Sequence, residues 1–328
     1  MKITKKKKEL YFLILYEIIL VLLFLASSTD LIIKERQNPV YQVSVIIGDS
    51  NDNDYVNFRK GMDQAALELN ADVSFVSLYE RNHEAQQMEM VLREQREGAR
   101  AIVLDPVEAA QLDRLLERGQ LEIPVILTGA SMADHKAWGA VTTDYEKMGR
   151  MLGTEILNRH GTGQTVWLLE QGKGNWMNRQ FEAGIQAVLS EAGCQAAYYN
   201  TGEDPDLASF FFTRKKQGEP DLVIACLDQE SLLAAADRLA GSEPAWNHLA
   251  AGLYGRGTSV SLLNHLEQGQ ITGLCVTDDF TAGYVSVRTA VEAAAGEKKG
   301  KDTLLESWYI EREDLQDPAF EKMLYPIE

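Results

Sequence analysis

Polar and aromatic residues recur directly after apolar, strand-like runs of this 328-residue chain. The candidates that could bind a ligand are Asp54, Tyr55, Asp105, Trp176, Arg179, Asp228, Tyr254 and Asp278. Aromatic faces can stack on a sugar ring, while Asp and Arg form charge-assisted hydrogen bonds with hydroxyl groups. Parallel strands place their carboxyl ends along one edge of a sheet, so we expect these residues to line a cleft that binds a small polar molecule.

Each candidate also has a purely structural explanation. Asp105 and Asp228 could cap the helices that follow them. Trp176 and Tyr55 could be ordinary half-buried loop aromatics, and Arg179 could pair with a surface carboxylate. The shared position after strand ends indicates a binding site, whereas no single residue does.

No motif for catalysis or metal binding is apparent. The five histidines are scattered, with neither an HExxH motif nor a paired ligand spacing. The adjacent acids Asp278 and Asp279 could act on a glycoside by acid/base catalysis, but such pairs are more often a solvated turn or a helix cap. We therefore expect a binding protein with no cofactor and no metal. A glycoside-acting enzyme that uses Asp278 and Asp279 is the alternative from another class.

Charge and cysteine content exclude further classes. The formal net charge of -17 repels phosphate backbones, which argues against nucleic-acid binding. The three cysteines, Cys194, Cys226 and Cys275, are isolated in apolar contexts and are expected to be small buried hydrophobes. Their spacing does not show whether any pair is bridged, and the sequence leaves the oligomeric state open.

The N-terminal segment, residues 1–28, combines charge with an apolar run and is expected to be a membrane anchor or a signal segment. Five lysines in residues 1–8 precede residues 10–26, which are apolar except for Glu17. This length is near the lower limit for a membrane span, and the lysines fit the positive-inside rule. They also fit the charged start of a signal peptide, so an uncleaved anchor and a cleaved, secreted form both stay open, with the anchor preferred. Either form places the body outside the cytoplasm, after a polar linker at residues 29–40.

Strand and helix patterns alternate from residue 41 to the C-terminus. Predicted strands lie at 43–47, 73–78, 101–104, 124–127, 165–169, 195–199, 222–226, 249–253, 271–277 and 308–311. Predicted helices lie at 56–69, 83–98, 108–118, 178–191, 205–216, 231–240, 258–268 and 280–295. Two similar series of short apolar strands and helices predict an α/β protein with two Rossmann-like lobes, each built on a parallel sheet.

Residues 138–153 connect the two series and read as a buried strand that runs directly into a helix. Thr143 and Glu146 match a capping box, which predicts a helix start at Thr143. Gly149 and Gly153 lie one turn apart and leave a flat strip that a sheet could approach. This segment is either one more βα unit or the place where the chain enters a second lobe, with Asp144 at the mouth of the cleft.

The order of these motifs, from residue 41 to the C-terminus, resembles the type I periplasmic sugar-binding proteins of the ribose-binding-like family. The segments that carry the resemblance are the Asp-Pro strand end at 101–106, the "IPV" strand at 123–127, the first crossing between lobes at 143–149, Arg179 with Gly184, the strand ending in Asp228, and 266–271 before a second crossover. Arg179 matches an arginine that binds ligand in that family. Tyr145, Leu227, Tyr254 and the Gly129-Ala130 pair depart from the pattern and remove several polar contacts to an ordinary pentose or hexose.

The resemblance implies a periplasmic-binding-protein-like I fold whose two lobes are joined by a multi-strand hinge. The implied lobes are 41–143 plus 278–305 and 144–277 plus 306–328, with hinge residues Thr143, Asp144 and Thr277. It also implies an extracytoplasmic protein that closes on a sugar or sugar derivative and then acts with an ABC permease or a membrane sensor kinase. The ligand's identity and the choice between transport and sensing stay open.

Overall fold

The computed structural model describes residues 5–28, 39–130, 135–172, 174–202, 213, 222–241, 250–298 and 302–326. The chain forms two compact units, Met1–Pro39 and Val40–Glu328. The predicted helix 205–216, apart from residue 213, lies outside the described residues. So do most of the predicted linker and the start of the predicted strand 249–253.

The described residues of the first unit form one helix, α1, Lys5–Ser28. Its sequence is rich in Leu and Ile and contains neither Gly nor Pro, which favours a continuous helix. The large hydrophobic side chains from Leu10 to Leu25 are exposed. Within the described part of the chain, no helix combines the length and the apolar character needed to cross a membrane.

The second unit contains twelve strands and nine helices among its described residues. The strands are β1 Tyr41–Ile46, β2 Ala71–Val76, β3 Ala101–Leu104, β4 Val125–Ala130, β5 Gly139–Thr143, β6 Val166–Glu170, β7 Ala196–Asn200, β8 Leu222–Cys226, β9 Ala250–Arg256, β10 Gly273–Thr277, β11 Thr303–Leu305 and β12 Ser307–Ile310. The helices are α2 Val56–Leu69, α3 Glu84–Glu97, α4 Ala109–Glu117, α5 Tyr145–His160, α6 Trp176–Glu191, α7 Gln229–Ala240, α8 Val260–Gln268, α9 Asp279–Ala294 and α10 Pro318–Leu324. Short 3-10 turns lie at Asn53–Tyr55 and Arg312–Gln316.

The strands form two six-stranded sheets. The first has the order β11-β5-β4-β3-β1-β2 and is parallel throughout, while the second has the order β12-β10-β9-β8-β6-β7 with β12 antiparallel at its edge. Strands β3, β6 and β8 are buried along their whole length, as expected for parallel strands covered on both faces. These sheets confirm the expected α/β class with two lobes, which we call lobe 1 (first sheet) and lobe 2 (second sheet).

The chain passes between the sheets three times. It leaves lobe 1 after β5 and enters α5, returns after β10 into α9, and crosses again between β11 and β12. Helix α9 packs on α2 and on the first sheet, whereas α5 packs on α6. The three cysteines lie buried and unbridged in lobe 2, as their apolar contexts indicated.

Two of the crossings have the same local structure. Each has a Thr at the strand end followed by an Asp that caps a helix: Asp144 accepts a hydrogen bond from the Lys147 N–H at 2.8 Å, and Asp278 accepts one from the Thr281 N–H at 2.9 Å. The backbone angles agree closely, φ −81° and ψ 88° at Asp144 against φ −83° and ψ 84° at Asp278. The expected capping box at Thr143 is therefore wrong, because Thr143 still belongs to β5 and the cap is the next residue.

Paired glycines allow the closest helix contacts in each lobe. In lobe 2, a Cβ on Gly149 would overlap the carbonyl oxygen of Phe181, and a Cβ on Gly184 would overlap that of Glu146. In lobe 1, Gly61 and Gly283 are matched in the same way across α2 and α9. The element that approaches Gly149 and Gly153 is thus helix α6, and the expectation of a sheet at this strip is wrong.

Candidate functional site

A cavity of about 100 Å³ lies between the lobes, at the carboxyl ends of strands from both sheets. Its polar and aromatic lining is Asp54, Tyr55, Phe58, Asp105, Thr128, Thr143, Tyr145, Arg256, Thr277 and Asp279. Pockets for drug-sized ligands are usually ~300–1,000 Å³. The lobes therefore enclose a compact space in this conformation.

Asp105 lies in the loop that follows β3 and is 4% exposed. Its Oδ2 accepts a hydrogen bond from the Tyr55 hydroxyl at 3.3 Å. Burial raises the pKa of Asp105 to about 7, although the Tyr55 hydrogen bond and the charge of Arg256 oppose the shift. A side chain at Gly129 would overlap Asp105 Oδ1, so glycine at this position leaves room for the carboxylate.

Asp54 and Asp279 place two more carboxylates on the cavity wall. Asp54 belongs to the 3-10 turn before α2, and burial, aided by the charge of Asp49, raises its pKa to about 6. Asp279 is the first residue of α9 and accepts hydrogen bonds from Thr277 Oγ1 at 2.7 Å and from Thr258 Oγ1. Burial also raises the pKa of Asp279, and those two hydrogen bonds oppose the rise.

Arg256, the last residue of β9, is the one cation among the described cavity-lining residues. It donates hydrogen bonds from Nε to the Leu227 carbonyl at 3.1 Å and from Nη2 to Asn178 Oδ1 at 2.6 Å. Its guanidinium also lies over the rings of Tyr145 and Phe181, 5.0 and 5.8 Å from their centroids. These contacts fix Arg256 to lobe 2, where its charge faces the three carboxylates.

The structure brings several predicted site residues together at the cavity. Asp54, Tyr55, Asp105 and Thr143 line it from lobe 1, and Thr277 lines it from lobe 2. The ring of Tyr55 is held by an edge contact with Phe58, with centroids 6.3 Å apart. A position after a strand end is the signal that predicts Asp54, Tyr55 and Asp105. Thr143 and Thr277 are instead the last residues of β5 and β10, and they follow as hinge residues from the family resemblance.

Other predicted ligand-binding residues do not line the cavity. Arg179 forms an ion pair with Glu108 of lobe 1 at 2.7 Å and lies over the Trp176 ring at 5.7 Å. Asp228 is fully buried and accepts hydrogen bonds from the Ser231 and Gln171 N–H groups, both at 2.8 Å. The surface pairing considered for Arg179 is therefore a contact between lobes, and Asp228 is a helix cap.

Tyr254 and Asp278 are also placed away from the cavity. Tyr254 has no exposed surface, and its hydroxyl contacts His160 Nε2 at 2.7 Å within the core of lobe 2. The sequence placed it after a strand ending at residue 253, whereas β9 continues to Arg256. Both carboxylate oxygens of Asp278 accept hydrogen bonds from Thr281. The structure thus does not support a ligand-binding role for either residue.

Residues close in sequence to the predicted ligand-binding residues line the cavity instead of them. Met177, Arg256 and Asp279 line the cavity, one or two positions after Trp176, Tyr254 and Asp278, and so does Tyr145, the first residue of α5. The sequence locates a helix start or a strand end approximately. Which of the neighbouring side chains faces the cavity depends on the precise residue at which the helix begins or the strand ends. The boundary error of one to three residues accounts for these omissions.

A second charged group bridges the lobes beside the cavity. Arg81 of lobe 1 pairs with Asp49 at 3.2 Å, lies 3.8 Å from Asp228, and pairs with Glu230 at the start of α7 in lobe 2. Arg81 therefore links the two lobes in this conformation, as the Arg179–Glu108 pair does. Among the described residues, no group of His, Cys, Asp and Glu side chains could hold a metal ion.

The chain was compared with protein families, curated proteins and solved structures. The sequence profile of a family described as "Periplasmic binding protein domain" matches residues 43–298. No curated protein matches the chain in sequence.

Solved structures match the chain in fold. One is an ABC transporter solute binding protein from Agrobacterium vitis bound with alpha-D-tagatopyranose, with a TM-score of 0.75, 16% identity, and 88% of this chain and 100% of that chain covered. Another is an ABC transporter solute binding protein from Bacillus halodurans with bound myo-inositol, with a TM-score of 0.73, 16% identity and coverage of 86% and 98%. A third comes from the complex of the TorS sensor domain with TorT in the absence of ligand, with a TM-score of 0.70, 17% identity and coverage of 87% and 98%. At these identities the likeness shows the fold alone.

Proposed function

This chain belongs to the periplasmic binding protein family, and from that premise we propose that it is an extracytoplasmic protein that binds a small polar molecule, a sugar or sugar derivative, between its lobes. The observation that carries the proposal is the polar cavity between the two sheets, lined from both lobes. Two solved structures with this fold are described as bound to a sugar or to myo-inositol. Ligands of open α/β sheets bind beyond the carboxyl ends of the strands, where this cavity lies.

We propose that binding works by hinge closure. Tyr55 and Asp105 contact the ligand from lobe 1 and Arg256 from lobe 2, so the ligand makes its full set of contacts only when the lobes are closed. The crossings at Thr143, Asp144 and Thr277 act as the hinge, because the chain passes there from one sheet to the other. The proposed lobe limits, 41–143 plus 278–305 and 144–277 plus 306–328, lie at these crossings and at the crossing between β11 and β12.

The closed form would deliver its ligand to an ABC permease, as the descriptions of two neighbours suggest. A second candidate function is presentation of the ligand-bound form to a membrane sensor kinase. It is favoured by the match to a complex that contains a sensor domain and by an N-terminal segment that could hold the protein at the membrane. Binding of the purified ligand-loaded protein to a sensor-kinase periplasmic domain, rather than to a permease, would decide for sensing.

We also propose that the N-terminal segment anchors the body to the membrane. The support is the lysine-rich start, the apolar run of residues 10–26 and the exposed hydrophobic side chains of α1. We expect the full chain to sediment with membranes after an alkaline carbonate wash and a variant lacking residues 2–28 to be released. Recovery of the full chain in the soluble fraction would contradict the anchor.

A glycoside-acting enzyme is the less supported alternative. Both oxygens of Asp278 are bound to Thr281, so Asp278 and Asp279 do not form a pair of carboxylates that face the cavity. We expect no hydrolysis of nitrophenyl glycosides by the purified protein. Turnover that disappears in an Asp279→Asn variant would contradict this expectation.

The test of ligand binding is a thermal-shift screen of the full chain in detergent against sugars, polyols, amino acids and nucleosides. A ligand at ~100 times its Kd stabilises the folded state by about 2.7 kcal/mol, which should raise Tm by about 5 °C. Tyr55→Ala should abolish the shift, whereas Tyr79→Ala, at a residue 84% exposed and outside the cavity, should preserve it. A response to amino acids alone would exclude the sugar assignment.

A further inference from the structure

We propose that the ligand carries a positive charge, so that the cavity binds an amine-bearing polyol, such as an amino sugar, in preference to a neutral sugar. This inference rests on the proposed function and names the class of ligand for the same site. It follows from the balance of charged groups on the cavity wall, the contacts of Arg256 and an unpaired carboxylate oxygen of Asp105.

The described cavity-lining residues include three carboxylates and one guanidinium. Asp54, Asp105 and Asp279 face the space that Arg256 also lines. Arg256 already donates to the Leu227 carbonyl and to Asn178, so part of its donor capacity is used within lobe 2. Arg179, the other arginine expected at the site, is paired with Glu108 and does not line the cavity. With its acids ionised, the wall carries a negative charge that a neutral ligand would leave uncompensated.

Asp105 supplies an acceptor that has no partner among the described residues. The residue is 4% exposed, and its Oδ2 accepts the hydrogen bond from Tyr55. No described group donates to Oδ1, which lies beside Gly129 on the cavity wall. Oδ1 is thus an acceptor open to the cavity, and an ammonium N–H of a ligand would form a charge-assisted hydrogen bond with it.

The raised pKa values of these three acids agree with a site that binds a positively charged ligand. Burial is the largest cause of the raised pKa of all three, which is about 7 for Asp105 and about 6 for Asp54. The groups that face them from the neighbouring elements are Asp49, Tyr55, Arg81, Tyr145, Asp228, Glu230, Arg256, Thr258, Thr277 and Asp278. Because an adjacent positive charge favours the ionised form, a bound ammonium group should lower these pKa values and release protons near pH 6.5.

Aromatic rings and long-range charge favour the same ligand. Tyr55, Phe58 and Tyr145 line the cavity, and aromatic faces attract ammonium groups as well as sugar rings. At the neighbouring ion-pair group, Arg81 is shared among Asp49, Asp228 and Glu230, which leaves that group acidic too. The net charge of -17 on the chain draws cations toward the protein.

The experiment compares ligands that differ in an amino group, by isothermal titration of the full chain in detergent. The probes are D-glucosamine against D-glucose, D-galactosamine against D-galactose, N-acetyl-D-glucosamine as the uncharged derivative, and choline as a quaternary ammonium ion without a ring or an N–H donor. We expect an amine to bind at least about 10-fold more tightly than its neutral counterpart. At pH 6.5, titrations in two buffers of different ionisation enthalpy should show proton release for the amine only.

Variants test whether the carboxylates are responsible. Asp105→Asn and Asp279→Asn should each weaken amine binding at least about 10-fold and reduce proton release, while circular dichroism shows that they fold. Asp63→Asn, on the exposed face of α2, serves as the matched control and should bind like the unaltered chain.

The possible results separate the two proposals. Binding of choline alone would overturn the assignment to an amine-bearing polyol, because choline has a single hydroxyl group and no N–H donor. Equal or tighter binding of the neutral sugars would overturn the inference and leave the proposed function standing. Failure of every amine and every sugar to bind would contradict both.

Discussion

Residues that line the cavity are adjacent in sequence to residues with a purely structural role. Asp278 caps α9 through Thr281, while Asp279, the next residue, faces the cavity and accepts hydrogen bonds from Thr277 and Thr258. An N-cap side chain turns back toward the helix, because it must reach the free N–H groups of the first turn. The first helical residue after it is free to project from the helix start. A single position along the chain therefore separates a structural carboxylate from one available to a ligand.

The buried carboxyl of Asp105 makes the stability of the ligand-free protein depend on pH. Its pKa in the folded state is about 7, above its ordinary value of 3.8, so the protonated form favours folding. The resulting stability is complete below about pH 4 and is lost as the pH rises through about 7. Asp105→Asn should remove the pH-dependent contribution of this carboxyl to the free energy of unfolding. At pH 8 the variant should therefore be more stable than the unaltered chain by on the order of 2 kcal/mol.

Urea unfolding at pH 5 and pH 8 measures this difference. Asp54 and Asp279 also have raised pKa values, so the variant should keep a smaller decline in stability between the two pH values. Asp63→Asn, an exposed acid on α2, should leave the decline unchanged. An Asp105→Asn variant that loses stability between pH 5 and pH 8 as steeply as the unaltered chain would refute the account.

At the scale of elements, each lobe depends on one helix pair in close contact. Helices α5 and α6 approach through Gly149 and Gly184, and α2 and α9 through Gly61 and Gly283. In each pair the carbonyl lies three residues before a glycine of its own helix, for example Phe181 before Gly184. The same arrangement in both lobes places the starts of α5 and α9, with Tyr145 and Asp279, at the cavity.

We expect Gly149→Ala to destabilise the protein by about 1–3 kcal/mol. The added Cβ would meet the backbone of Phe181, which cannot rotate away as a side chain could. Gly163→Ala is the matched control, because a Cβ there meets nothing within 4 Å, and it should change stability by less than about 0.5 kcal/mol. Chemical denaturation measures both, and equal stability of the two variants would show that α5 and α6 can separate at no cost.

At the scale of the whole second unit, the ion pairs of two arginines connect the lobes among the described residues. Arg179 of α6 contacts Glu108, and Arg81 contacts Glu230 of α7. Partly exposed pairs such as these contribute modest energy individually. If the lobes open by the proposed hinge motion, these pairs would separate, so they would favour closed lobes before any ligand binds.

We expect a Glu108→Gln, Glu230→Gln double variant to favour the open form. Its radius of gyration in small-angle scattering should increase without ligand, and its ligand affinity should fall by roughly 2- to 10-fold. Glu191→Gln provides the control, because the Arg150–Glu191 pair joins α5 and α6 within lobe 2. An unchanged scattering curve for the double variant would mean that these pairs do not hold the lobes together.

The α/β class, the two lobes and the position of the cleft could be predicted from the sequence, because they depend on local patterns. Short apolar runs such as β3 and β8 are buried on both faces, so their composition alone identifies parallel strands. The same local patterns placed Asp54, Tyr55 and Asp105 after strand ends, and all three line the cavity.

Only the tertiary structure decided which side chains face the cavity and which charges pair across it. The burial of Tyr254 follows from a strand that continues to Arg256, and strand ends depend on the neighbouring strands with which they pair. The partner of Arg179 is Glu108, 71 positions away, and that of Arg81 is Glu230, 149 positions away. Such contacts join residues of different lobes, so they arise only when the two sheets are brought together in space.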